Sequence, residues 1–259
     1  MKISTDVLAV LSGCQMSGNQ LVLTEQLDRQ MYSAVNKVLE AAGGKWNRKA
    51  KAHVFDEAAA DVMEPIILTG EYQRTKQDFG VFFTPLALAR RLAERITFTH
   101  TGMRLLEPSA GMGALATAAR DAAQADDESC SWADITCFDI QPKHVVALRA
   151  LGLHAECADF LDEDPRDYEP FDAVLMNPPF AGQADIRHVM HAAKFLKPGG
   201  QLVAIMSAGV LFRRDRLTES FRALVHARGG TITALPADSF RESGTGVNTV
   251  VVSFSERMR

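Results

Sequence analysis

Between residues 103 and 254 short apolar runs alternate with amphipathic stretches, and no other feature restricts the fold as much. Runs at 103–107, 135–139, 154–158, 173–176, 201–207, 231–235 and 247–254 have the length and apolar content of strands. Between them, 114–124, a segment opening at Pro142, 185–196 and 215–227 read as helices. Lys197-Pro198-Gly199-Gly200 reads as a stop after 185–196. The alternation predicts an α/β fold, a mostly parallel sheet with helices on both faces. Ligands of such sheets bind beyond the C-terminal ends of the strands, where the strand order reverses.

Four of those ends carry chemistry. Leu105-Leu106-Glu107-Pro108-Ser109-Ala110-Gly111-Met112-Gly113 runs from a strand through a glycine-bearing turn into a helix. Glycines there let the backbone approach a ligand closely. The G-x-G spacing lacks both the third glycine of a dinucleotide fingerprint and the Gly-Lys-Ser/Thr of a P-loop, so alone it names no cofactor. Asp139 ends the next strand, just before Ile140, where a carboxylate can take both hydroxyls of an unphosphorylated ribose. Asp159 follows the third strand and can accept from an amino group, with Phe160 beside it to line a ring. Each acid taken singly also reads as a helix N-cap or a solvated turn residue.

The fourth end is Asn177-Pro178-Pro179-Phe180. Neither proline has an N–H for the ladder, so the strand ends in a rigid lip. It presents an amide, a carbonyl and an exposed aromatic ring, a set suited to a planar base bearing an amino group. The tetrapeptide also reads as a strand-terminating turn with a core phenylalanine.

Upstream, residues 1–22 carry no clear period. Thr24 suits an N-cap, and Gly43-Gly44 a stop, for a helix with Leu27, Met31, Val35 and Leu39 on one side. A basic stretch follows, with Lys45, Arg48, Lys49 and Lys51 and with Trp46 and Phe55 near its ends. It suits a phosphate backbone, and equally a solvated hairpin whose Trp46 and Phe55 pack inward. Arg213, Arg214 and Arg216 form a second basic group, read either as nucleic-acid contact or as a charged helix start. Thr84-Pro85 opens another helix, threonine as N-cap and proline at the first helical position. These features divide the chain into a small helical N-terminal extension, 1–75, and a main domain, 76–259.

The formal net charge is −4, so contact with nucleic acid must rest on local patches. No apolar run reaches membrane length, and the chain does not open on a basic-then-apolar leader. Cys14, Cys130, Cys137 and Cys157 lack metal-ligand spacing. The expectation is a cytoplasmic protein with reduced, mostly buried thiols, no metal and no membrane contact.

In their order, the glycine turn, the two acids and Asn-Pro-Pro-Phe resemble the S-adenosylmethionine-dependent amino-methyltransferases. Phe82-Phe83-Thr84-Pro85 ahead of the glycine turn narrows the resemblance. An aromatic-Thr-Pro helix start is found in DNA adenine-N6 methyltransferases of the gamma motif order and in methylation subunits of type I restriction systems. The resemblance covers residues 78–254. It implies a Rossmann-like class I fold with a seven-stranded sheet, S-adenosylmethionine as cofactor, and duplex DNA with a flipped adenine as substrate. By it, Phe83, Thr84, Pro85, Glu107, Pro108, Ser109, Ala110, Gly111, Gly113, Asp139, Ile140, Asp159, Phe160 and Asn177 hold the cofactor. Thr84 and its helix start would take the methionine carboxylate. Asn177, Pro178, Pro179 and Phe180 would act on the base. Leu235-Pro236-Ala237-Asp238-Ser239-Phe240 before Gly244-Thr245-Gly246 resembles the family's late motif, which makes Phe240 a wall of the base pocket. Lys45, Arg48, Lys49, Lys51, Arg213 and Arg214 are the candidate DNA contacts.

Gamma-type enzymes carry a target-recognition domain after the late motif, whereas here Arg259 follows the last strand directly. Recognition is therefore expected from residues 1–75, from loops, or from a specificity subunit or second copy. A short or relaxed target follows, as in solitary methyltransferases of phages and mobile elements. Other substrates suit the same lip: adenine in RNA, a glutamine amide in protein and, less in keeping with the asparagine, cytosine N4. The non-enzymatic reading is a DNA-binding subunit without catalysis, against which the intact lip and glycine turn speak.

Overall fold

The computed structural model describes residues 2–72, 83–100, 102–126, 134–236, 239–240 and 247–256. Two units emerge, Met1–Phe79 with Ser207–Ser220, and Gly80–Met206 with Phe221–Arg259.

In the first unit, α1 (Thr5–Gly13) buries the unbroken run Val7 to Leu11. A helix buried on more than one side shows no amphipathic period, which is why residues 1–22 carried none. Four strands follow in a sheet ordered β1-β2-β4-β3: β1 (Gln15–Ser17), β2 (Gln20–Val22), β3 (Lys45–Asn47) and β4 (Ala52–Val54). At three residues each they are too short for alternation to register. Between β2 and β3 lies α2 (Arg29–Ala41), capped by Asp28, whose carboxylate accepts from Met31 N at 2.8 Å. Thr24, the expected cap, instead donates its hydroxyl to Gly13 O. A third helix, α3 (Ala59–Thr69), was not foreseen; it ends at Gly70, where φ is +67°. Leu11, Leu21, Val35, Leu39, Phe55 and Met63 form the core of this unit. Phe55 packs inward, while Trp46 stays 51% exposed.

The second unit opens with α4 (Leu86–Ala93) and β5 (Arg104–Glu107). Then come α5 (Ala114–Asp126), β6 (Asp134–Asp139), α6 (Pro142–Ala150), β7 (His154–Cys157), β8 (Phe171–Met176), α7 (Ala184–Ala192) and β9 (Leu196–Ser207). The short α8 (Gly209–Phe212) falls in the segment assigned to the first unit. The chain closes with α9 (Arg216–Ala227), β10 (Thr231–Ala234) and β11 (Thr249–Ser255). Seven strands form one mostly parallel sheet, ordered β10-β11-β9-β8-β5-β6-β7. β5 pairs parallel with both β6 and β8, β6 with β7 and β8 with β9, while β10 and β11 are antiparallel. The central strands are buried along almost their whole length, as both-sided packing of a parallel sheet requires.

The helical segment ends at Phe195, just ahead of Lys197-Pro198-Gly199-Gly200 as expected, but these four residues are no break between elements and lie inside β9. The β8–β9 register jumps between Phe171↔Leu196 and Ala173↔Gln201, and this irregularity absorbs the proline. The two glycines pair with Glu256 through backbone hydrogen bonds of 3.0 and 2.7 Å.

From β5 the chain moves one way through β6 and β7, then crosses back to β8 and β9. The order therefore reverses between β5 and β8, and their C-terminal ends flank the crevice where such sheets bind ligands. Cys137 is buried, Cys14 half-buried and Cys157 exposed; Cys130 lies outside the described residues. No helix among the described residues is long and apolar enough to cross a membrane.

Candidate active site

The ends of β5, β6, β7 and β8 converge on one cavity of about 550 Å³. Phe83, Thr84, Glu107, Pro108, Ser109, Ala110, Gly111, Asp139, Ile140, Asp159, Phe160, Asn177, Pro178 and Pro179 all line it. The volume lies within the ordinary range of small-molecule sites, about 300–1,000 Å³.

Each wall has a local cause. After β5 the turn stays tied to β6, Ala110 N donating to Phe138 O at 2.9 Å. Gly111 and Gly113 take φ of +53° and +81°, which glycine adopts without a Cβ penalty. At Gly113 a Cβ would lie 2.9 Å from Leu148 Cδ2, so this glycine serves packing under the cavity rather than its lining. Glu107 is buried, its Oε2 accepting from Ala116 N at 2.7 Å. Burial, with Asp139 adding to it, pushes the Glu107 carboxyl well above the usual carboxylate range.

Asp139 clamps the turns together. Its Oδ2 accepts from Gly111 N at 2.8 Å, and its Oδ1 accepts from Gln141 N at 2.8 Å and faces His144 Nδ1 at 3.0 Å. A carboxylate offers about four acceptor positions, so these three contacts leave about one on Asp139 for a further donor. Asp159 likewise caps its own turn, Oδ1 accepting from Leu161 N at 3.0 Å. Ile140, Phe83 and Met112, all at least half exposed, add apolar surface at the cavity.

The lip differs from expectation in two ways. Thr84 is not the cap of α4: Pro85 occupies that position with ψ of 142°, and the helix begins at Leu86. The Thr84 hydroxyl instead accepts from Asn177 Nδ2 at 3.0 Å, joining the helix start to the end of β8. Phe180 is not an exposed ring but 1% exposed. The chain reverses directly after it through Gly182 and Gln183, both left-handed at φ of +57° and +61°, and the ring sits in the interior.

Other candidates lie away from the cavity. Phe240 is buried and does not line it; nor do Pro85 and Gly113. Arg213 was expected on a contact surface but is 4% exposed, its guanidinium 3.4 Å from Glu64 within the first unit. It packs over Gly209, where a Cβ would meet Arg213 Nε at 2.8 Å. Arg214, Lys45, Arg48, Lys49 and Lys51 are exposed. Phe82, Ala237, Asp238, Gly244, Thr245 and Gly246 lie outside the described residues.

His144 and His188, which line the cavity, were missed. His188 stands on the buried side of α7 with Ile186 and Val189, its Nδ1 3.4 Å from Ser109 Oγ. A histidine amid apolar helix positions right after the lip was the available signal. Burial lowers its pKa to about 4, with Arg187 and His191 acting in the same direction and Asp159 against them.

Sheet order, glycine turn and cavity define a class I methyltransferase that uses S-adenosylmethionine. Residues 76–230, more than half of the chain, match the methyltransferase small domain, and the chain belongs to that family. Among solved structures it is similar to a type I restriction enzyme modification subunit from Vibrio vulnificus YJ016, at 17% identity and a TM-score of 0.57 over 69% of this chain and 45% of that one. It is also similar to the EcoKI M protein of a type I restriction enzyme, at 15% identity and 0.56 over 96% and 56%. The chain thus spans about half the length of these two subunits. A class I S-adenosylmethionine-dependent methyltransferase from Listeria monocytogenes is similar at 12% identity and 0.55, over 98% and 79%. No curated protein sequence matches the chain.

Proposed function

We propose that this methyltransferase moves the methyl group of S-adenosylmethionine to N6 of adenine in DNA. The observation that carries the reading is the seating of Asn177 on the cavity wall, its amide nitrogen on Thr84 Oγ1 at 3.0 Å beside the stiff Pro178-Pro179 backbone. With the nitrogen held there, the amide oxygen is oriented as the acceptor for a substrate amino group.

When bound, S-adenosylmethionine supplies a methyl group made electrophilic by a sulfonium. Asp139 would take a ribose hydroxyl on the acceptor position its turn contacts leave, and Asp159 would take the cofactor's adenine amino group, with Ile140 against the ring. Thr84 accepts from Asn177 and keeps its own proton to donate to the methionine carboxylate, so one hydroxyl ties cofactor position to lip position.

An adenine amino nitrogen is a poor nucleophile because its lone pair is delocalised into the ring. Acceptance of its hydrogens by Asn177 Oδ1 and the Pro178 carbonyl favours a pyramidal nitrogen, a stabilisation that grows toward the transition state. The sulfonium would supply the methyl group and leave as a neutral thioether, and the surplus N6 proton would pass to water. Phe180, being buried, anchors the lip in the core rather than stacking on the base. The two modification subunits of similar fold and the Phe83-Thr84-Pro85 start support DNA as substrate and a specificity partner as a further component.

Asn177→Ala is expected to lower methyl transfer to duplex DNA by about 100-fold or more, the scale of losing one transition-state hydrogen-bonding group. Calorimetry should find cofactor affinity nearly unchanged. Near-normal turnover in this variant contradicts the mechanism; transfer to structured RNA alone moves the substrate to RNA.

A further inference from the structure

The β3–β4 hairpin of the first unit takes no part in the cavity. β3 is an edge strand of its sheet, and Lys45, Trp46 and Asn47 are all exposed. Trp46 pairs with His53 and Asn47 with Ala52, so Arg48-Lys49-Ala50-Lys51 forms the tip. The tip is set by Asn47, whose Oδ1 accepts from Lys49 N at 2.9 Å and from Ala50 N at 3.1 Å, and by Lys51 at φ of +51°. All four residues of the tip are exposed.

From Lys45 to Phe55 there are four lysines and arginines and no acid, in a chain whose net charge is −4. The nearest acids along the chain are Glu40 and Asp56. Lysines alone are what any edge strand uses against unwanted pairing. They do not explain Trp46, a large apolar ring left 51% exposed in their midst. Nor is it loosely held: the ring centroid stands 5.2 Å from that of His53, at 60°. His53 is fully buried, and its Nε2 lies 2.9 Å from Asn36 Oδ1. Burial lowers the pKa of His53, with Glu40 acting against it. A fixed flat ring flanked by cations that converge on one turn matches the combination by which proteins grip nucleic acid, cations on phosphates and an aromatic face on a base or sugar.

We propose that this hairpin is a DNA-binding wing, with Lys45, Arg48, Lys49 and Lys51 on the phosphates and Trp46 against a sugar or an unstacked base. The assignment of DNA rests on the reading of the catalytic site given above.

The test is equilibrium binding of the full chain to a fluorescently labelled unmethylated duplex over a range of salt concentrations, with methyl transfer to the same duplex followed in parallel. The triple variant R48E/K49E/K51E changes only exposed side chains. It is expected to weaken binding and to flatten the slope of log affinity against log salt by about one for each phosphate that is no longer neutralised. Trp46→Ala should weaken binding about 5- to 100-fold, and Trp46→Tyr should restore most of it. Cofactor affinity should stay as in the parent chain for all three. Unchanged affinity and salt slope in the triple variant and in Trp46→Ala overturn the wing. If the variants lose binding while the parent chain never methylates DNA, the wing stands and the substrate reading falls. If the parent methylates DNA and the variants bind normally, the substrate reading stands and the wing falls. Binding of the parent to anionic vesicles but not to DNA overturns both.

Discussion

At the residue scale, the decisive contact is the 3.0 Å hydrogen bond from Asn177 to Thr84. It makes a threonine of one helix start responsible for the orientation of an amide at the end of a strand. Thr84→Val keeps the shape and removes the bond, and is expected to lower kcat about 10- to 100-fold while raising KM for the cofactor. Thr84→Ser should retain most activity; equal losses in both variants contradict the role. His188 carries a pH consequence. Its pKa lies near 4 in the fold against 6.5 when exposed, so below pH 6.5 the unfolded chain binds more protons there. The fold therefore loses stability as pH falls from 6.5 to 4, approaching about 3 kcal/mol from this residue. Urea melts of the parent and of His188→Leu across that interval check it. The parent should lose stability relative to His188→Leu as pH falls, and a difference that does not change with pH contradicts the assignment. The acids Asp139 and Asp159 and the lip were legible in the sequence because type and position suffice: a carboxylate or amide at a strand's C-terminal end. That Phe180 turns inward, that Arg213 is buried over Gly209, and that Thr84 bonds Asn177 instead of capping α4 depend on packing between segments far apart in the chain, which no local pattern encodes.

At the element scale, the main unit was readable because its central strands are buried runs bounded by turn residues and most of its helices show one apolar face. The first unit was not. Its α1 is apolar without a period and its strands are three residues long, and α3 passed unrecognised with a proline inside it. The apparent stop at Lys197–Gly200 misled for the opposite reason, since a parallel strand accommodated a proline through a shift in register. The β5–α5 turn makes a separable prediction about its two glycines. Gly113→Ala meets both a φ of +81° and Leu148 at 2.9 Å, and should destabilise the fold by about 2 kcal/mol or more. Gly111→Ala shares the left-handed strain, at φ of +53°, but meets only the Phe83 ring, at 3.7 Å, and should melt closer to the parent than Gly113→Ala does while binding the cofactor more weakly. Thermal denaturation and calorimetry on the pair distinguish a packing glycine from a lining one; the reverse order of melting temperatures contradicts the distinction.

At the scale of the whole molecule, a methyltransferase unit whose cavity and lip sit at the strands' C-terminal ends is joined to a second unit that presents a basic, tryptophan-bearing hairpin. A net charge of −4 gives the chain no general attraction to polyanions, so DNA binding would have to come from a local surface such as the proposed wing. The central claim is that the lip places the methyl group on adenine N6 in DNA. Incubating the protein with methyl-labelled S-adenosylmethionine and unmethylated plasmid, then digesting the DNA to nucleosides, reads reaction, base and atom together. Label is expected in N6-methyldeoxyadenosine with the parent chain and at about a hundredth of that level or less with Asn177→Ala. Label in a methylated cytosine, or an unlabelled plasmid beside labelled RNA or protein, contradicts the claim.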